Sequence, residues 1–283
     1  MNSMRDKVVV ITGATSGIGE VAADHLAQAG ARIVFVARDH ERGEKTRRHL
    51  QAVAGHADHT AYYGDLSRLA DMKRIATEIA QAETHIDVLI NNAGAMFSSR
   101  QVTEDGLEKT FALNHMSYFV ITNMLVERMK ATPGARIVST ASDAHSGAKL
   151  NFDDLQSERG YSGFPVYGRS KLMNILFTRE LARRLTGSGI TANCLHPGFV
   201  NTRFGDQSGG LTSFAIRGAK NFALSPEQGA QTIIYLASSP EVEGKTGGYY
   251  HKNKLTTPSR AAQSDADAKR LWDVSAKIAG VGF

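Results

Sequence analysis

Short runs of apolar, mostly β-branched residues alternate along this chain with longer stretches in which apolar residues recur every three or four positions. In the short runs apolar residues occupy neighbouring positions, as in the strands of a parallel sheet that helices cover on both faces. Amphipathic helices are predicted in the longer stretches, for example at 19–30, 69–83 and 227–239. Strands are predicted at 7–12, 32–37, 59–64, 87–92, 135–140 and 190–196.

This alternation of strands and helices predicts a doubly wound α/β fold, in which helices cover both faces of a parallel sheet. In such folds the ligand binds at the carboxyl ends of the strands. No linker, charge block, internal repeat or low-complexity tract divides the chain, so one domain is predicted over residues 1–283.

The composition excludes several classes of function. The chain is 42% hydrophobic and 22% charged, as is typical of a soluble globular protein. Its net charge is +5, but the basic residues are spread along predicted helices, for example at 42–48 and 179–184. We interpret these residues as solvent-facing, so no nucleic-acid partner is predicted.

A single cysteine, Cys194, excludes an intramolecular disulfide, and no Cys/His cluster has the spacing of a zinc site, so no metal is predicted. Residues 1–13 lack the apolar region and cleavage site of a signal peptide. No apolar run approaches the length of a membrane span. We therefore expect a cytoplasmic protein without a transmembrane segment, and leave open a peripheral contact of apolar loops with lipid.

The stretch "TGATSGIGE" follows the first predicted strand and opens a helix, with glycines at 13, 17 and 19. Glycine lets the backbone turn tightly and approach a pyrophosphate closely, and the helix N-terminus offers free N–H groups. Glycine-rich turns also occur where no ligand binds. The position between a strand and a helix favours a dinucleotide-binding loop.

The end of the second predicted strand bears on which dinucleotide would bind. A carboxylate there would favour NAD, but the strand ends at Ala37 and Arg38 follows. A guanidinium group can bind the 2′-phosphate of NADP with two hydrogen bonds. Asp39, which follows Arg38, is a carboxylate and so argues against NADP. We interpret it instead as the cap of the next helix. NADP(H) is therefore the preferred cofactor, with NAD(H) as the alternative.

Tyr167 and Lys171 are four residues apart at the start of a predicted helix, so both side chains lie on one face. A phenol and an ammonium group placed in this way can act on each other and on one bound molecule. The pair alone would equally suit an ordinary helix surface, so its meaning depends on the other motifs.

Together these motifs resemble those of the short-chain dehydrogenase/reductase family. They are "TGATSGIG", "GDL" at 64–66, "NNAG" at 91–94, Asn114, Ser142, Tyr167-x-x-x-Lys171 and "HPGFVNT" at 196–202. The segments "ALNHMSYFVIT", "DAHSG" and "LFTRELARRL" and the C-terminal tail resemble the retinol dehydrogenase branch, which includes WW-domain oxidoreductase-like proteins. The resemblance implies a Rossmann fold with a parallel seven-stranded sheet of order 3-2-1-4-5-6-7. Residues 1–130 would mainly bind the cofactor, and residues 131–283 would hold the catalytic and substrate-binding half.

For catalysis the resemblance implies four residues. Tyr167 would be the general acid or base, and the positive charges of Lys171 and of the oxidised nicotinamide would lower the phenol pKa from its usual value near 10. Lys171 would also hold the nicotinamide ribose. Ser142 would bind the substrate oxygen, and Asn114 would hold a water that leads from the lysine to solvent. Asn114 could instead mark a local kink in a helix.

The cofactor contacts that the resemblance implies come from the ends of five of the six predicted strands and from the helix with Tyr167 and Lys171. They are Gly13, Thr15, Ser16, Gly17, Ile18, Gly19, Arg38, Asp65, Leu66, Asn92, Ala93, Gly94, Tyr167, Lys171, Pro197, Gly198, Val200 and Thr202.

A glycine-flanked apolar segment at about 203–225 predicts a lid over the nicotinamide. Met96, Phe97, Phe204 and Phe214 are the predicted substrate contacts. The expected function is NADP(H)-dependent hydride transfer to or from a small lipophilic carbonyl or alcohol, either retinal/retinol-like or another aldehyde or ketone. The resemblance also leaves a homodimer open.

Two other functions remain open at this point. One is a non-catalytic module on the same fold that senses NADP(H) or binds a protein. The other is an NAD-dependent epimerase or dehydratase of the extended type. His145 is interpreted as a structural residue, and Trp272 as the anchor of the C-terminal helix.

Overall fold

The computed structural model describes residues 4–200 and 224–282. The strands are β1 Val8–Thr12, β2 Arg32–Ala37, β3 Thr60–Tyr63, β4 Val88–Asn91, β5 Arg136–Thr140, β6 Thr191–Leu195, β7 Tyr249–His251 and β8 Lys254–Thr256. The α-helices are α1 Gly17–Gln28, α2 His40–Val53, α3 Leu69–Ala82, α4 Lys109–Phe111, α5 Ser117–Lys130, α6 Gly163–Arg184, α7 Pro226–Ser238 and α8 Asp265–Ala279. Each of the six predicted strands is present, with ends within one residue of the prediction.

The strands form one sheet of order β3-β2-β1-β4-β5-β6-β7-β8. The pairs from β3 through β7 are parallel, which confirms the predicted order 3-2-1-4-5-6-7. An eighth strand, β8, pairs antiparallel with β7 and was not predicted. The two are joined by Lys252 and Asn253, both with positive φ (49° and 62°), as the tight turn of a hairpin requires.

Alternate residues of the central strand β1 point to opposite faces of the sheet. Val8 and Val10 lie in a buried cluster with apolar residues of α3, α5, α6 and α8. Val9 and Ile11 lie in a second buried cluster with residues of α1, α2 and α7. The sheet is therefore covered on both faces, as the unbroken apolar runs of its strands predict.

Trp272 fixes the C-terminal helix α8 to the body of the protein. Its ring is buried, stacks on Phe177 of α6 at 5.8 Å and meets the ring of Phe119 of α5 edge-on at 4.9 Å. The Arg184 guanidinium carbon lies 4.4 Å from the centre of the same ring. The indole thus anchors α8 to α5 and α6, as predicted.

Crossing a bilayer takes a helix of about 20 mostly apolar residues. The longest helix, α6, has 22 residues but carries charged side chains, among them Lys171, Arg179 and Glu180. Within residues 4–200 and 224–282 no helix is both long enough and apolar enough to cross a membrane.

Candidate active site

A cavity of about 1300 Å³ opens at the carboxyl ends of the parallel strands. It exceeds the roughly 300–1000 Å³ of most small-molecule sites, so it can hold a ligand as large as a dinucleotide together with a second molecule. Eighteen of the predicted site residues line it: Gly13, Thr15, Ser16, Gly17, Ile18, Arg38, Asp65, Leu66, Asn92, Ala93, Gly94, Met96, Ser142, Tyr167, Lys171, Pro197, Gly198 and Val200.

The other predicted residues lie elsewhere. Thr202, Phe204, Phe214 and nearly all of the predicted lid fall outside the described residues. Gly19 and Asn114 are in contact with residues that line the cavity but do not line it themselves. Phe97 was predicted as a substrate contact but does not line the cavity. Its ring is buried and faces the ammonium of Lys109, which lies 5.1 Å from the ring centre.

The glycine-rich loop between β1 and α1 forms one wall of the cavity. Gly13 and Gly17 have positive φ (73° and 62°), which favours glycine at both positions. A Cβ on Gly13 would lie 2.9 Å from the Cα of Ala93, so only glycine lets this loop approach β4 so closely. The N-terminus of α1 faces the cavity through Ser16, Gly17 and Ile18 and presents N–H groups as a phosphate requires.

Asn92 and Asp65 hold the cavity wall through their side chains. The Asn92 amide donates to the carbonyl oxygens of Thr12 and Gly13, each at 3.2 Å, and so ties the glycine loop to the end of β4. The Asp65 carboxylate accepts from the N–H and the hydroxyl of Ser67 at 2.9 and 2.8 Å. Both residues therefore shape the cavity, in addition to lining it.

Two arginines flank the glycine loop at the end of β2. Arg38 lines the cavity directly, and Asp39 caps α2 by accepting from the N–H of Arg42 at 2.8 Å, as predicted. The Arg42 guanidinium lines the cavity and donates to the Thr15 carbonyl at 3.0 Å. The sequence interpretation placed Arg42 on a solvent-facing helix surface. Arg42 is exposed as interpreted, and it also lines the cavity because the first turn of α2 lies at the strand end beside the loop.

Tyr167 and Lys171 line the cavity from the first turns of α6, on one face as their spacing predicts. Both are largely buried, with 9% and 3% of their surfaces exposed. The Lys171 ammonium donates to the Thr140 carbonyl at 3.0 Å and lies 5.6 Å from the centre of the Tyr167 ring. The contact with Thr140 fixes the lysine to the end of β5.

The protein's own groups shift both pKa values. Burial raises the pKa of Tyr167 to about 12, and a hydrogen bond with Ser142 opposes this rise only in part. Burial lowers the pKa of Lys171 to about 7. The phenol is therefore less acidic than free tyrosine in the protein alone, because loss of water around the phenolate outweighs the bond with Ser142. A lowered pKa in the presence of Lys171 and the oxidised nicotinamide stays a prediction.

Ser142 is the serine that reaches the cavity after β5. Its hydroxyl accepts from the N–H of Ala144 at 3.2 Å at the start of a 3₁₀ turn, Asp143–His145. Of the neighbouring hydroxyl groups, Ser139 is buried and Thr140 donates to the Asn92 side chain at 3.3 Å. The hydrogen bond between Ser142 and Tyr167 brings two of the predicted catalytic hydroxyls together.

Asn114 lies behind the cavity in a π-helical turn, Ala112–Met116, between α4 and α5. Its amide accepts from the Ala95 N–H and donates to the Ala95 carbonyl, both at 2.9 Å, and donates to the Ser170 hydroxyl at 2.9 Å. The residue thus lies in an irregular turn of the helix and links the loop after β4 to α6, while its role in holding a water stays a prediction.

Comparison with known proteins agrees with this geometry. The sequence pattern of the short chain dehydrogenase family matches residues 7–209. The chain belongs to the short-chain dehydrogenase family.

Within this family the chain is retinol dehydrogenase-like. It is 40% identical to human retinol dehydrogenase 14, over 98% of this chain and 88% of that protein. It is 38% identical to human retinol dehydrogenase 13, over 97% of this chain and 85% of that protein.

Solved structures of similar fold include one of an uncharacterised protein from Mycobacterium paratuberculosis. That protein is 31% identical, with a TM-score of 0.81 over 100% of this chain and 97% of the other. A short-chain dehydrogenase from Burkholderia cenocepacia in complex with NADP is 25% identical, with a TM-score of 0.70 over 93% of this chain and 100% of the other.

A nicotinamide dinucleotide fits the residues of this short-chain dehydrogenase. The glycine loop supplies a backbone cradle for the pyrophosphate, and Gly198, with φ of 89°, gives the loop after β6 its turn at the cavity wall. Among residues 4–200 and 224–282 no three His, Cys, Asp or Glu side chains are grouped as a metal site would need. The glycine loop and the turn at Gly198 fit a nicotinamide cofactor in this cavity.

Several lining residues of this short-chain dehydrogenase were missed from the sequence. Phe164 and Phe199 stand at the cavity with 63% and 53% of their surfaces exposed. Arg42 could have been found from its position in the first turn of the helix that Asp39 was interpreted to cap, close after Arg38. Phe199 belongs to the motif at 196–202, and Phe164 lies three residues before Tyr167, so both could have been found from their neighbours in the sequence.

Gly19→Ala is expected to weaken dinucleotide binding and lower thermal stability. Alanine favours a helix by about 1 kcal/mol over glycine, but the added Cβ would lie 2.2 Å from the Gly13 carbonyl and 2.4 Å from the Asn92 amide. Such overpacking costs about 1–3 kcal/mol and displaces the loop. Fluorescence titration and a thermal melt measure both effects.

The matched control is Gly160→Ala, since an added Cβ there meets no atom of the described residues within 4 Å. This control should bind and melt as the unchanged protein does. Unaltered binding and melting of the Gly19→Ala variant would contradict the packing role of Gly19.

Proposed function

We propose that this protein transfers a hydride between NADP(H) and a lipophilic carbonyl or alcohol, either retinal/retinol-like or another aldehyde or ketone. The observation that carries the proposal is the meeting of Tyr167, Ser142 and Lys171 in one cavity with the glycine loop. A phenol, a hydroxyl and an ammonium group around one bound oxygen are what carbonyl reduction requires.

When bound, the nicotinamide supplies or accepts the hydride at the substrate carbon. In reduction, Tyr167 gives its phenolic proton to the substrate oxygen, so the carbonyl becomes an alcohol and the phenol becomes a phenolate. Ser142 donates a hydrogen bond to the same oxygen and stabilises the negative charge that develops on it. Lys171 stabilises the phenolate, which then regains a proton from solvent. Oxidation is the reverse of these steps.

The pKa of Tyr167, about 12, keeps the phenol protonated at neutral pH. The protonated phenol is the form that can donate to a carbonyl oxygen in reduction. Oxidation requires the phenolate, which an additional positive charge, such as that of the oxidised nicotinamide, stabilises.

The lipophilic substrate class rests on the apolar side of the cavity and on similarity. Met96, Ala148, Phe164, Pro165 and Phe199 line the cavity near Tyr167 and Ser142. Apolar walls with a few converging polar groups are typical of sites for apolar ligands. The similarity to human retinol dehydrogenases 13 and 14 supports the same class.

The preference for NADP(H) rests on Arg38 and Arg42, which bring two guanidinium groups to the glycine loop. Arg38→Ala is expected to weaken NADPH binding by about 10–100-fold, because a hydrogen bond to a charged group contributes about 1.5–3 kcal/mol. NADH binding should hardly change, since NADH lacks the 2′-phosphate. Dissociation constants from fluorescence titration measure both.

Arg48→Ala serves as the matched control, because Arg48 is exposed on α2, bonds the Glu44 carbonyl and does not line the cavity. Its affinities for both cofactors should equal those of the unchanged protein. An equal loss of NADPH and NADH affinity in Arg38→Ala would contradict a 2′-phosphate contact.

The experiment that tests the proposed function is a screen of NADPH and NADH oxidation with retinal and with aliphatic and aromatic aldehydes and ketones. We expect turnover with NADPH and apolar carbonyls, and the reverse reaction with the matching alcohols. Tight NADPH binding with no turnover across the panel would contradict the proposal in favour of a sensor. Purified protein that carries NAD(H) would instead favour an epimerase or dehydratase.

A further inference from the structure

His145 occupies an unusual place beside the candidate active site. It ends the 3₁₀ turn that starts directly after Ser142, and only 1% of its surface is exposed. Its ring packs edge-on against the ring of Tyr249 in β7, with 5.2 Å between ring centres and 70° between the planes. The side chain is therefore held in one orientation between the catalytic serine and the C-terminal part of the chain.

Both ring nitrogens of His145 have partners, and these partners determine where its proton lies. The backbone N–H of Ser259 donates to Nε2 at 3.1 Å, so Nε2 carries no hydrogen. Nδ1 lies 2.7 Å from the Ser142 carbonyl oxygen, which can only accept. The ring is therefore neutral, with its hydrogen on Nδ1, and it donates to Ser142 while it accepts from Ser259.

We propose that His145 is a positioning residue for Ser142, and that it ties the turn carrying the catalytic serine to the backbone at Ser259. The role rests on the proposed function, because it acts through the serine that binds the substrate oxygen. No motif of the family resemblance assigned a role to His145, and the bond to Ser259 joins residues 114 positions apart.

The contacts of Ser142 explain why its position depends on this histidine. The Ser142 carbonyl accepts both from the His145 ring and from the His145 N–H, the latter at 3.2 Å. Its hydroxyl accepts from the Ala144 N–H. Without the ring, the peptide group after Ser142 keeps only the longer bond, and the hydroxyl that meets Tyr167 loses a fixed direction. Small misplacements of a catalytic group cost up to about 10²-fold in rate.

Ser259, the second hydrogen-bond partner of His145, lies in a well-packed part of the protein. Ser259 starts a 3₁₀ turn, Arg260–Gln263, which leads into α8. Helix α8 is anchored by Trp272 between α5 and α6. Burial lowers the pKa of His145 below its ordinary value, which keeps the ring neutral and Nε2 able to accept at neutral pH. The C-terminal helix therefore supports the catalytic serine through one imidazole.

Two substitutions separate the two hydrogen bonds of the ring. In His145→Asn the side-chain amide takes the place of Nδ1 and keeps a donor for Ser142, whereas in His145→Gln the amide oxygen takes the place of Nε2 and keeps an acceptor for Ser259. We expect His145→Gln to lower kcat by about 10–100-fold with KM and NADPH affinity little changed. His145→Asn keeps the bond to Ser142 and loses only the bond to Ser259, so its kcat should fall less than that of His145→Gln and by no more than the roughly 10-fold expected when the Ser259 bond alone is lost. Equal losses in both variants would overturn the proposal.

A double-mutant cycle with Ser142→Ala distinguishes positioning from general stability. If His145 acts through the serine hydroxyl, His145→Gln lowers kcat in the otherwise unchanged protein but has no further effect once Ser142 is alanine. A purely structural role would lower kcat by the same factor in both backgrounds, and that result would overturn the proposal.

Ser259 offers a second pair of variants should the histidine variants fail to fold. Ser259→Pro removes the donating N–H together with the hydroxyl, and the φ of −56° at this position suits proline. Ser259→Ala keeps the N–H and removes the hydroxyl, which is not part of the tether. We expect Ser259→Pro to lower kcat about 10-fold, since it frees one end of the ring, and Ser259→Ala to leave kcat unchanged. Full activity of Ser259→Pro would overturn the proposal.

Nitrogen NMR of the protein labelled with ¹⁵N-histidine tests the tether without any turnover. The proposal requires one histidine with protonated Nδ1 and unprotonated Nε2, whose signals disappear in His145→Gln. A His145 ring with hydrogen on Nε2, or on both nitrogens, would overturn it. Absence of oxidoreductase activity in the unchanged protein would contradict the proposed function alone, because the NMR result reports the tether in either case.

Discussion

Tyr167→Phe is expected to lower kcat by about 10²–10⁴-fold, the usual contribution of a positioned general acid or base. Phenylalanine keeps the ring that packs near Lys171 and removes only the hydroxyl that bonds Ser142. The substrate oxygen then lacks a proton donor in the transition state. Cofactor binding should be retained, because the glycine loop and Arg38 are unchanged. Steady-state rates and NADPH titration measure the two effects separately.

Tyr161→Phe provides the matched control for this substitution. The Tyr161 hydroxyl donates to the Phe97 carbonyl at 3.0 Å, and Tyr161 does not line the cavity. The loss of this bond costs about 0.5–1.5 kcal/mol of stability but should leave kcat unchanged. A Tyr167→Phe variant as active as the unchanged protein would remove Tyr167 from the mechanism.

Lys171→Met is expected to lower kcat by about 10²–10³-fold, the range found when one charge-stabilising donor is removed from an active site. The ammonium group lies 5.6 Å from the centre of the Tyr167 ring and faces the cavity beside Gly94. Its loss leaves the developing phenolate without a compensating charge. Methionine has a similar length and fills the same space, so packing around α6 is retained.

The same substitution should make the protein more stable. The pKa of Lys171 falls from 10.5 to about 7 on folding, so burial penalises the charged form. Since the unfolded chain binds the proton more tightly, stability falls as the pH is lowered from about 10.5 to about 7 and then levels off. Replacing buried charges by apolar residues stabilises by about 1–4 kcal/mol. The Thr140 carbonyl still accepts from Asn174 and Tyr118.

Thermal melts of the unliganded protein across this pH range measure the effect. Lys171→Met should melt higher at neutral pH, and its advantage should shrink as the pH approaches 10.5. Lys45→Met, an exposed position on α2, is the control and should melt as the unchanged protein does. A lower melting temperature for Lys171→Met at neutral pH would contradict a penalised, buried ammonium group.

Much of the fold could be predicted from the sequence because its signals are local. Runs such as Val8–Thr12 are apolar at consecutive positions, and that pattern requires a sheet covered on both faces. The glycine loop and the Tyr167/Lys171 spacing are local as well, since a helical turn fixes which side chains share a face. Most of the site residues predicted from these local patterns line one cavity in the structure.

Features that depend on distant parts of the chain could not be predicted in this way. The direction of the pKa shift at Tyr167 depends on how completely packing removes water from the phenol. The place of Arg42 beside Thr15 follows from how α2 meets the glycine loop. The bond between His145 and Ser259 joins two ends of the catalytic half, and no periodicity encodes it. Sequence patterns predict which side chains share a helix or sheet face and where strands end. They do not predict contacts between residues far apart in the chain, which form only when the chain folds.

A structure of the protein with NADP and a bound lipophilic alcohol or aldehyde tests the central claim most directly. The account predicts the Tyr167 hydroxyl about 2.6–3.2 Å from the substrate oxygen, a hydrogen-bonding distance that proton transfer requires. The Ser142 hydroxyl should contact the same oxygen, with the nicotinamide ring beside the substrate carbon. A Tyr167 hydroxyl directed away from that oxygen, or a dinucleotide bound outside the cavity, would contradict it.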